Sequence, residues 1–158
     1  MRQISYVKLI LSVLICNCAG IIGSMATQSS VDGWYTTLVR PSFAPPSWVF
    51  APVWTVIYCL MGISLYLIWS EARIRPIKVP INLFSIQLIL NAAWSFLFFG
   101  LESTLAGFVG IVILWLAIIG TMMSFYRVSK TAFLLFVPYI LWVSFAALLN
   151  YQFMRLNG

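Results

Sequence analysis

Histidine is missing from this chain of 158 residues, and acidic residues number only three. Those two shortages exclude most enzyme classes. No Ser-His-Asp or Cys-His arrangement can be assembled, no two carboxylates reach a common substrate, and no cluster of metal ligands exists. Histidine-ligated haem is excluded by the same absence, so neither a metal nor a resident cofactor is expected. The three cysteines, Cys16, Cys18 and Cys59, form no C-x-x-C and read as apolar packing residues. Charge of either sign is scarce, at 8% of residues against 63% hydrophobic, with a mean hydropathy of +1.02. A soluble domain carries about 25% charged residues and about 45–50% apolar ones. The solvent for most of this chain must be lipid.

What is present is five long charge-free intervals, at residues 9–31, 41–70, 79–101, 103–126 and 131–154. Each suits one helical crossing, which needs about 20 apolar residues, and none is long enough for two. The alternating polarity of a membrane β-barrel is absent. The expectation is an all-α integral membrane protein, a five-transmembrane-helix bundle in one domain. Its spans are placed at about 7–27, 48–70, 79–100, 103–126 and 130–154. The nine cations lie between spans, so the net charge of +6 is no nucleic-acid footprint. Arg2, Lys8, Arg73, Arg75, Lys78, Arg127 and Lys130 fall on one side, and only Arg40 and Arg155 on the other. The positive-inside rule then puts the N-terminus in the cytoplasm and the C-terminus outside. The first residues also have the layout of a signal peptide, but their apolar run is long for one.

Span 1 carries Ala19, Gly20, Gly23 and Ser24, a small-residue stripe that suits either packing within the bundle or a dimer contact. Residues 28–47 hold Pro41, Pro45 and Pro46, which forbid a continuous helix. The same stretch holds Trp34, Tyr35, Leu38 and Phe43, too apolar for a solvated linker. An ordered lid over the outer end of the bundle is one reading, and a segment lying among headgroups is the other.

Inside the spans the remaining chemistry is aromatic and neutral polar. Gln87, Asn91, Trp94 and Ser95 share one helical face, as do Trp54 and Tyr58 with Met61–Gly62, and Trp142, Phe145, Ala146, Leu149 and Asn150 with Pro138. An amide in lipid is costly unless satisfied, so Gln87, Asn91 and Asn150 should point inward, as interhelical hydrogen-bond partners or as pocket groups. Trp48 and Trp69 sit at span ends and read as interfacial belt residues; Trp54, Trp94 and Trp142 lie deeper. Trp115 reads as packing. A pocket of such residues suits a flat, largely apolar ligand, and Arg40 and Arg155 are the cations available to a ligand carboxylate. No intramembrane carboxylate is placed to couple an ion or proton, which weighs against a pump.

These stretches resemble the TspO/MBR family, also called tryptophan-rich sensory protein, translocator protein or peripheral-type benzodiazepine receptor. The matching strings are WYTTLVRPSFAPPSWVFAPVWTVIYCLMG at 34–62, QLILNAAWSFLFFG at 87–100 and PYILWVSFAALLNYQFMR at 138–155. Arg40 stands where lysine is common in the family. The resemblance implies a usually dimeric receptor or carrier for porphyrins such as protoporphyrin IX, and for sterols and benzodiazepine-like ligands, with roles in tetrapyrrole transport, sensing or homeostasis. Carried over by motif, the ligand-binding positions are Trp34, Tyr35, Pro45, Pro46, Trp54, Tyr58, Asn91, Trp94, Trp142, Phe145, Ala146 and Asn150, beside the Arg40 and Gln87 read from the residues themselves. Light- and oxygen-dependent protoporphyrin degradation is the alternative activity, with Trp54 and Trp142 as its catalytic residues; whether that makes an enzyme is not decided by the sequence. Leu149, Tyr151 and Arg155 fit a short cholesterol-recognition pattern of low specificity. The implied location is a bacterial inner membrane, or the mitochondrial outer membrane in a eukaryote.

Overall fold

A backbone N–H or C=O left unpaired in lipid is costly, and an α-helix satisfies all but its terminal groups internally. The apolar stretches accordingly run as helices. In a computed structural model that describes residues 5–158, these are α1 (Tyr6–Ser30), α2 (Trp34–Thr37), α3 (Phe50–Ser70), α4 (Lys78–Ser95), α5 (Thr104–Val128), α6 (Lys130–Leu135) and α7 (Val137–Asn157). Arg2, used above in reading the topology, lies outside the described residues. A 3-10 turn, Ser47–Val49, precedes α3, and α4 continues into a π-helical segment, Phe96–Gly100. Among the described residues, five segments are long and apolar enough to cross a membrane: Tyr6–Gln28, Ser47–Ser70, Lys78–Gly100, Thr104–Val128 and Lys130–Asn157. The chain is therefore an all-α integral membrane protein with five crossings.

Three details differ from the sequence expectation. Helix α1 runs on through Ser30, because no proline occurs before Pro41 and Gly20 and Gly23 are accommodated within the helix. The third crossing ends in the π segment, with Leu101 N–H bonding the Phe96 carbonyl at 2.9 Å. The fifth crossing is broken at Phe136. Pro138 has no N–H to give to residue 134, and its ring clashes with that carbonyl in a continuous helix. The Phe136 N–H turns to the Phe133 carbonyl at 3.1 Å. The Ala132 carbonyl, which a regular helix would pair with Phe136, instead accepts the buried Ser64 hydroxyl of α3 at 2.8 Å. Serine caps open α5 and α6: Ser103 Oγ accepts from Ala106 N–H and Ser129 Oγ from Ala132 N–H.

Helix α1 packs between α3 and α4, α5 between α4 and α7, and α6 against α3 and α5. Glycine sets the closest approach. At Gly62 a Cβ would lie 2.5 Å from Val13 Cα and 2.9 Å from Val13 N, so α1 and α3 touch backbone to backbone. A Cβ at Gly20 would collide with the Tyr58 ring, and one at Gly23 would sit 3.1 Å from Ser95 Oγ. Of the two readings of the small stripe on α1, packing within the bundle accounts for both glycines. The outward face of α1, with Ile10, Leu14, Ile22 and Met25, is exposed to lipid. The main core gathers around Phe84, Phe125 and Phe136, with Phe84 and Phe125 stacked at 6.0 Å and 8°. A second cluster, Phe98, Leu149 and Phe153, closes the other end of the bundle beneath Trp34, Tyr35 and Leu38.

Candidate ligand-binding cavity

Between these two cores lies a cavity of about 430 Å³. Small ligand sites generally run from about 300 to 1,000 Å³. Its aromatic wall is Tyr35, Phe50, Trp54, Tyr58, Trp94, Phe98, Phe99 and Phe153, and its neutral polar groups include Asn17, Asn91, Ser95 and Asn150. Exposed Ser24 and Gln28 of α1 and Ala51 and Thr55 of α3 also line it, so its open side lies between those two helices.

The aromatic groups are held in place. Trp54 stacks on Tyr58 with centroids 5.6 Å apart at 26°. Trp94 stacks on Phe98 at 5.9 Å, and its indole N–H donates to the Gly107 carbonyl at 3.1 Å, which ties α4 to α5. That carbonyl belongs to a glycine because a Cβ there would strike the Phe98 ring and lie 3.0 Å from Asn150 Oδ1. From the cavity floor a hydrogen-bond chain runs into the core. Tyr58 hydroxyl donates to Asn91 Oδ1 at 2.5 Å, Asn91 Nδ2 to Tyr139 hydroxyl at 2.9 Å, and Tyr139 hydroxyl to Gln87 Oε1 at 3.1 Å. Four side chains from three helices are thereby joined in a region where lipid and core offer no other partner. Among the described residues, three buried side-chain polar atoms have no partner: Gln87 Nε2, Trp142 Nε1 and Asn150 Oδ1.

Residues 31–46 cover one end. Tyr35 packs against Phe99 at 5.6 Å and Phe153 at 5.5 Å, and Trp34 meets Phe98 edge-on at 5.5 Å. Arg40 is exposed, lies 5.7 Å from the Tyr35 ring centroid, and donates from Nη2 to the Pro45 carbonyl at 3.1 Å. Burial raises the Tyr35 phenol above its ordinary pKa, while the charge and hydrogen bond of Arg40 pull it down. The segment is clasped to the far end of the chain. Val39 N–H donates to Asn157 Oδ1 at 2.7 Å, and Asn157 Nδ2 donates back to the Val39 carbonyl at 3.1 Å.

Of the positions singled out in the sequence, Tyr35, Trp54, Tyr58, Asn91, Trp94, Ala146 and Asn150 lie on the cavity wall, with Leu149 of the sterol pattern beside them. The others are placed elsewhere. Gln87 is buried behind Tyr139. Trp34 stands behind Phe98. Pro45 and Pro46 lie in the covering segment, where Pro46 leads into the 3-10 turn. Trp142 packs on Phe50 at 5.8 Å and Phe145 on Phe43 at 6.2 Å, so the shared face of α7 is split, and Ala146, Leu149 and Asn150 reach the cavity together with Phe153 further along the helix. Tyr151 points to Phe108 at 5.5 Å and Arg155 is exposed, so the sterol pattern does not converge on one surface. Trp115, read as packing, donates its indole N–H to Ser144 Oγ at 2.8 Å.

The sequence reading missed the α1 wall, Tyr139 and Asn157. Asn17, Gly20, Ser24, Thr27 and Gln28 recur at intervals of three and four; of these only Gly20 and Ser24 figure in the sequence reading, within a small-residue stripe for bundle packing or a dimer contact. Tyr139 stands seven residues before Ala146 on α7, a spacing that could have joined it to the cavity face.

An all-helical membrane bundle with an aromatic cavity under a clasped loop defines a class: a polytopic membrane protein with an internal cavity of the size of a small-ligand site. A family model places it further, matching residues 12–156 as the TspO/MBR family. The chain is 47% identical over 150 residues to the tryptophan-rich protein TspO of Chlorobaculum tepidum, covering 94% of this chain and 95% of that one. It is 42% identical to the tryptophan-rich protein TspO of Archaeoglobus fulgidus, covering 96% and 97%. Against the translocator protein of Homo sapiens it is 36% identical over 138 residues, covering 86% and 82%. This chain belongs to the TspO/MBR family.

Proposed function

We propose that the cavity binds a flat, largely apolar tetrapyrrole such as protoporphyrin IX, and that the protein acts in tetrapyrrole transport, sensing or homeostasis. The observation that carries this is the pair of stacked aromatic walls, Trp54 on Tyr58 and Trp94 on Phe98, in one cavity of about 430 Å³. Extended π-faces suit a planar macrocycle, and the few amides supply orientation. Arg40, above Tyr35, is the cation in position to meet a propionate. The same apolar walls would admit sterols or benzodiazepine-like ligands. Ligand binding needs no further cofactor. A homodimer, an N-terminus on the cytoplasmic side, and residence in a bacterial inner membrane (the mitochondrial outer membrane in a eukaryote) complete the proposal on the strength of the family resemblance and the positive-inside rule.

A second reading, light- and oxygen-dependent degradation of the bound porphyrin, is favoured by one feature. Trp54 places an electron-rich indole on the wall, where a porphyrin would touch it. Trp142 would act through Phe50 rather than by contact.

The test is a tryptophan-fluorescence titration of purified protein with protoporphyrin IX in the dark. Ala146 is 6% exposed and lines the cavity from a helix, so Ala146→Leu puts extra methylenes where the ligand would lie. Saturable quenching in the native protein, weakened about tenfold or more in Ala146→Leu, is expected. Equal quenching of both proteins, at the level of an unrelated membrane protein, would show that porphyrin only partitions into the detergent. Illumination of the complex then separates the two readings: loss of porphyrin absorbance that Trp54→Phe abolishes favours degradation.

A further inference from the structure

At the other end of the bundle a second cavity, of about 540 Å³, lies among the α3–α4 turn, the start of α4 and the end of α5. Three cations from these elements line it, Arg75, Lys78 and Arg127, together with apolar Pro76, Val79 and Val128, and among the described residues no carboxylate does. The arrangement is built rather than scattered. Arg75 Nη1 donates to the Arg127 backbone carbonyl at 2.7 Å, which fixes the turn against the end of α5 and holds one guanidinium at the groove. Helix α4 begins inside the groove with no side-chain cap at Ile77 and no acidic residue in its first turn. The positive end of its dipole is therefore not countered from within its own first turn. Two spanning segments, Lys78–Gly100 and Thr104–Val128, start and finish here, so the groove sits where a bilayer has its headgroups. Val79 is 63% exposed beside the cations, an apolar surface at the level where acyl chains begin.

We infer that this groove binds the headgroup of one anionic phospholipid of the surrounding leaflet. The phosphodiester meets Arg75, Lys78, Arg127 and the first amides of α4, and the acyl chains run down past Val79 and Val128. A zwitterionic lipid fits less well, because its amine finds three cations and no carboxylate in the lining. Basic pockets between spanning helices are suited to acidic lipid headgroups, with each cation adding about fivefold to the affinity.

Native mass spectrometry of the full-length protein, given equal amounts of phosphatidylglycerol and phosphatidylcholine, tests this. The variant is Lys78→Gln with Arg127→Gln. It keeps the Arg75 bond, because that bond ends on a backbone carbonyl. Its control is Arg73→Gln with Lys130→Gln, which removes the same charge from the same end but from residues that do not line the groove. Native protein should retain phosphatidylglycerol in preference to phosphatidylcholine. The groove variant should lose about 30-fold in affinity, and the control no more than about threefold. Equal losses in the two variants would reduce the effect to diffuse surface charge and overturn the inference. Equal retention of the two lipids, or displacement of the bound lipid by inorganic phosphate alone, would overturn it as well.

Discussion

Replacing Gly62 by alanine adds one methyl group, and the seam between α1 and α3 has no space for it. The new Cβ would lie 2.5 Å from Val13 Cα and 2.9 Å from both Val13 N and Cγ2. Two of those atoms are backbone, so no rotamer change relieves the clash. Helix α1 must move away by roughly 1 Å along part of its length, loosening the packing on which Gly20 and Tyr58 also depend. Overpacking of this kind costs about 1–3 kcal/mol, and a backbone neighbour puts Gly62→Ala toward the upper part of that range. Gly120→Ala is the matched control. Nothing lies within 4 Å of a Cβ there, so only the helix preference for alanine remains, stabilising by at most about 1 kcal/mol. Thermal unfolding in detergent, followed by tryptophan fluorescence, should show a clear fall in Tm for Gly62→Ala and none for Gly120→Ala. Porphyrin affinity should fall with the first variant, since α1 and α3 form opposite sides of the cavity mouth. Equal Tm values for the two variants would refute the backbone contact as the element that sets helix spacing.

Asn157→Ala removes both hydrogen bonds to Val39, worth about 1–2 kcal/mol in a partly hydrated site; exchange protection of the Val39 amide should fall about tenfold, read by hydrogen exchange with mass spectrometry. Tyr139→Phe leaves the buried Asn91 Nδ2 without its acceptor and Gln87 Oε1 without its donor, so thermal unfolding should register a loss of about 1–3 kcal/mol. Arg40→Gln removes the charge and the hydrogen bond that hold the Tyr35 phenol down, leaving burial to act alone. Its pKa should rise further, seen in an ultraviolet titration of phenolate against a Tyr35→Phe blank. Because that pKa is raised by folding, its contribution to stability is full below the unfolded value of about 10 and fades as pH climbs through the folded value.

Charge placement made the crossings readable. Lys8, Glu71, Glu102 and Lys130 sit beside span ends because each would be costly within the hydrocarbon, so the intervals between charges measure the helices directly. The aromatic part of the cavity was legible for a related reason, since deep tryptophans and amides in lipid need an inward partner, and Trp54, Trp94 and Asn91 found one. What stayed hidden depends on rotation about a helix axis. Trp142 and Phe145 lie on the same nominal face as Ala146, yet only Ala146 reaches the cavity, because Phe50 and Phe43 lie against the two larger rings. The α1 wall was hidden because glycine and serine serve equally to seat another helix or to leave room for a ligand. The Val39–Asn157 clasp joins residues 118 apart, and no local pattern announces it.

That clasp also imposes an order of events on biosynthesis. The covering segment leaves the ribosome soon after the first crossing, while Asn157 belongs to the fifth. Until that last helix has inserted, Val39 has no partner, Tyr35 has no Phe153 to rest on, and the wall formed by Ala146, Leu149 and Asn150 does not exist. A nascent chain with four helices in the bilayer thus has Trp54 and Trp94 in place but no enclosed site, and the cavity is completed only when its fifth helix has inserted.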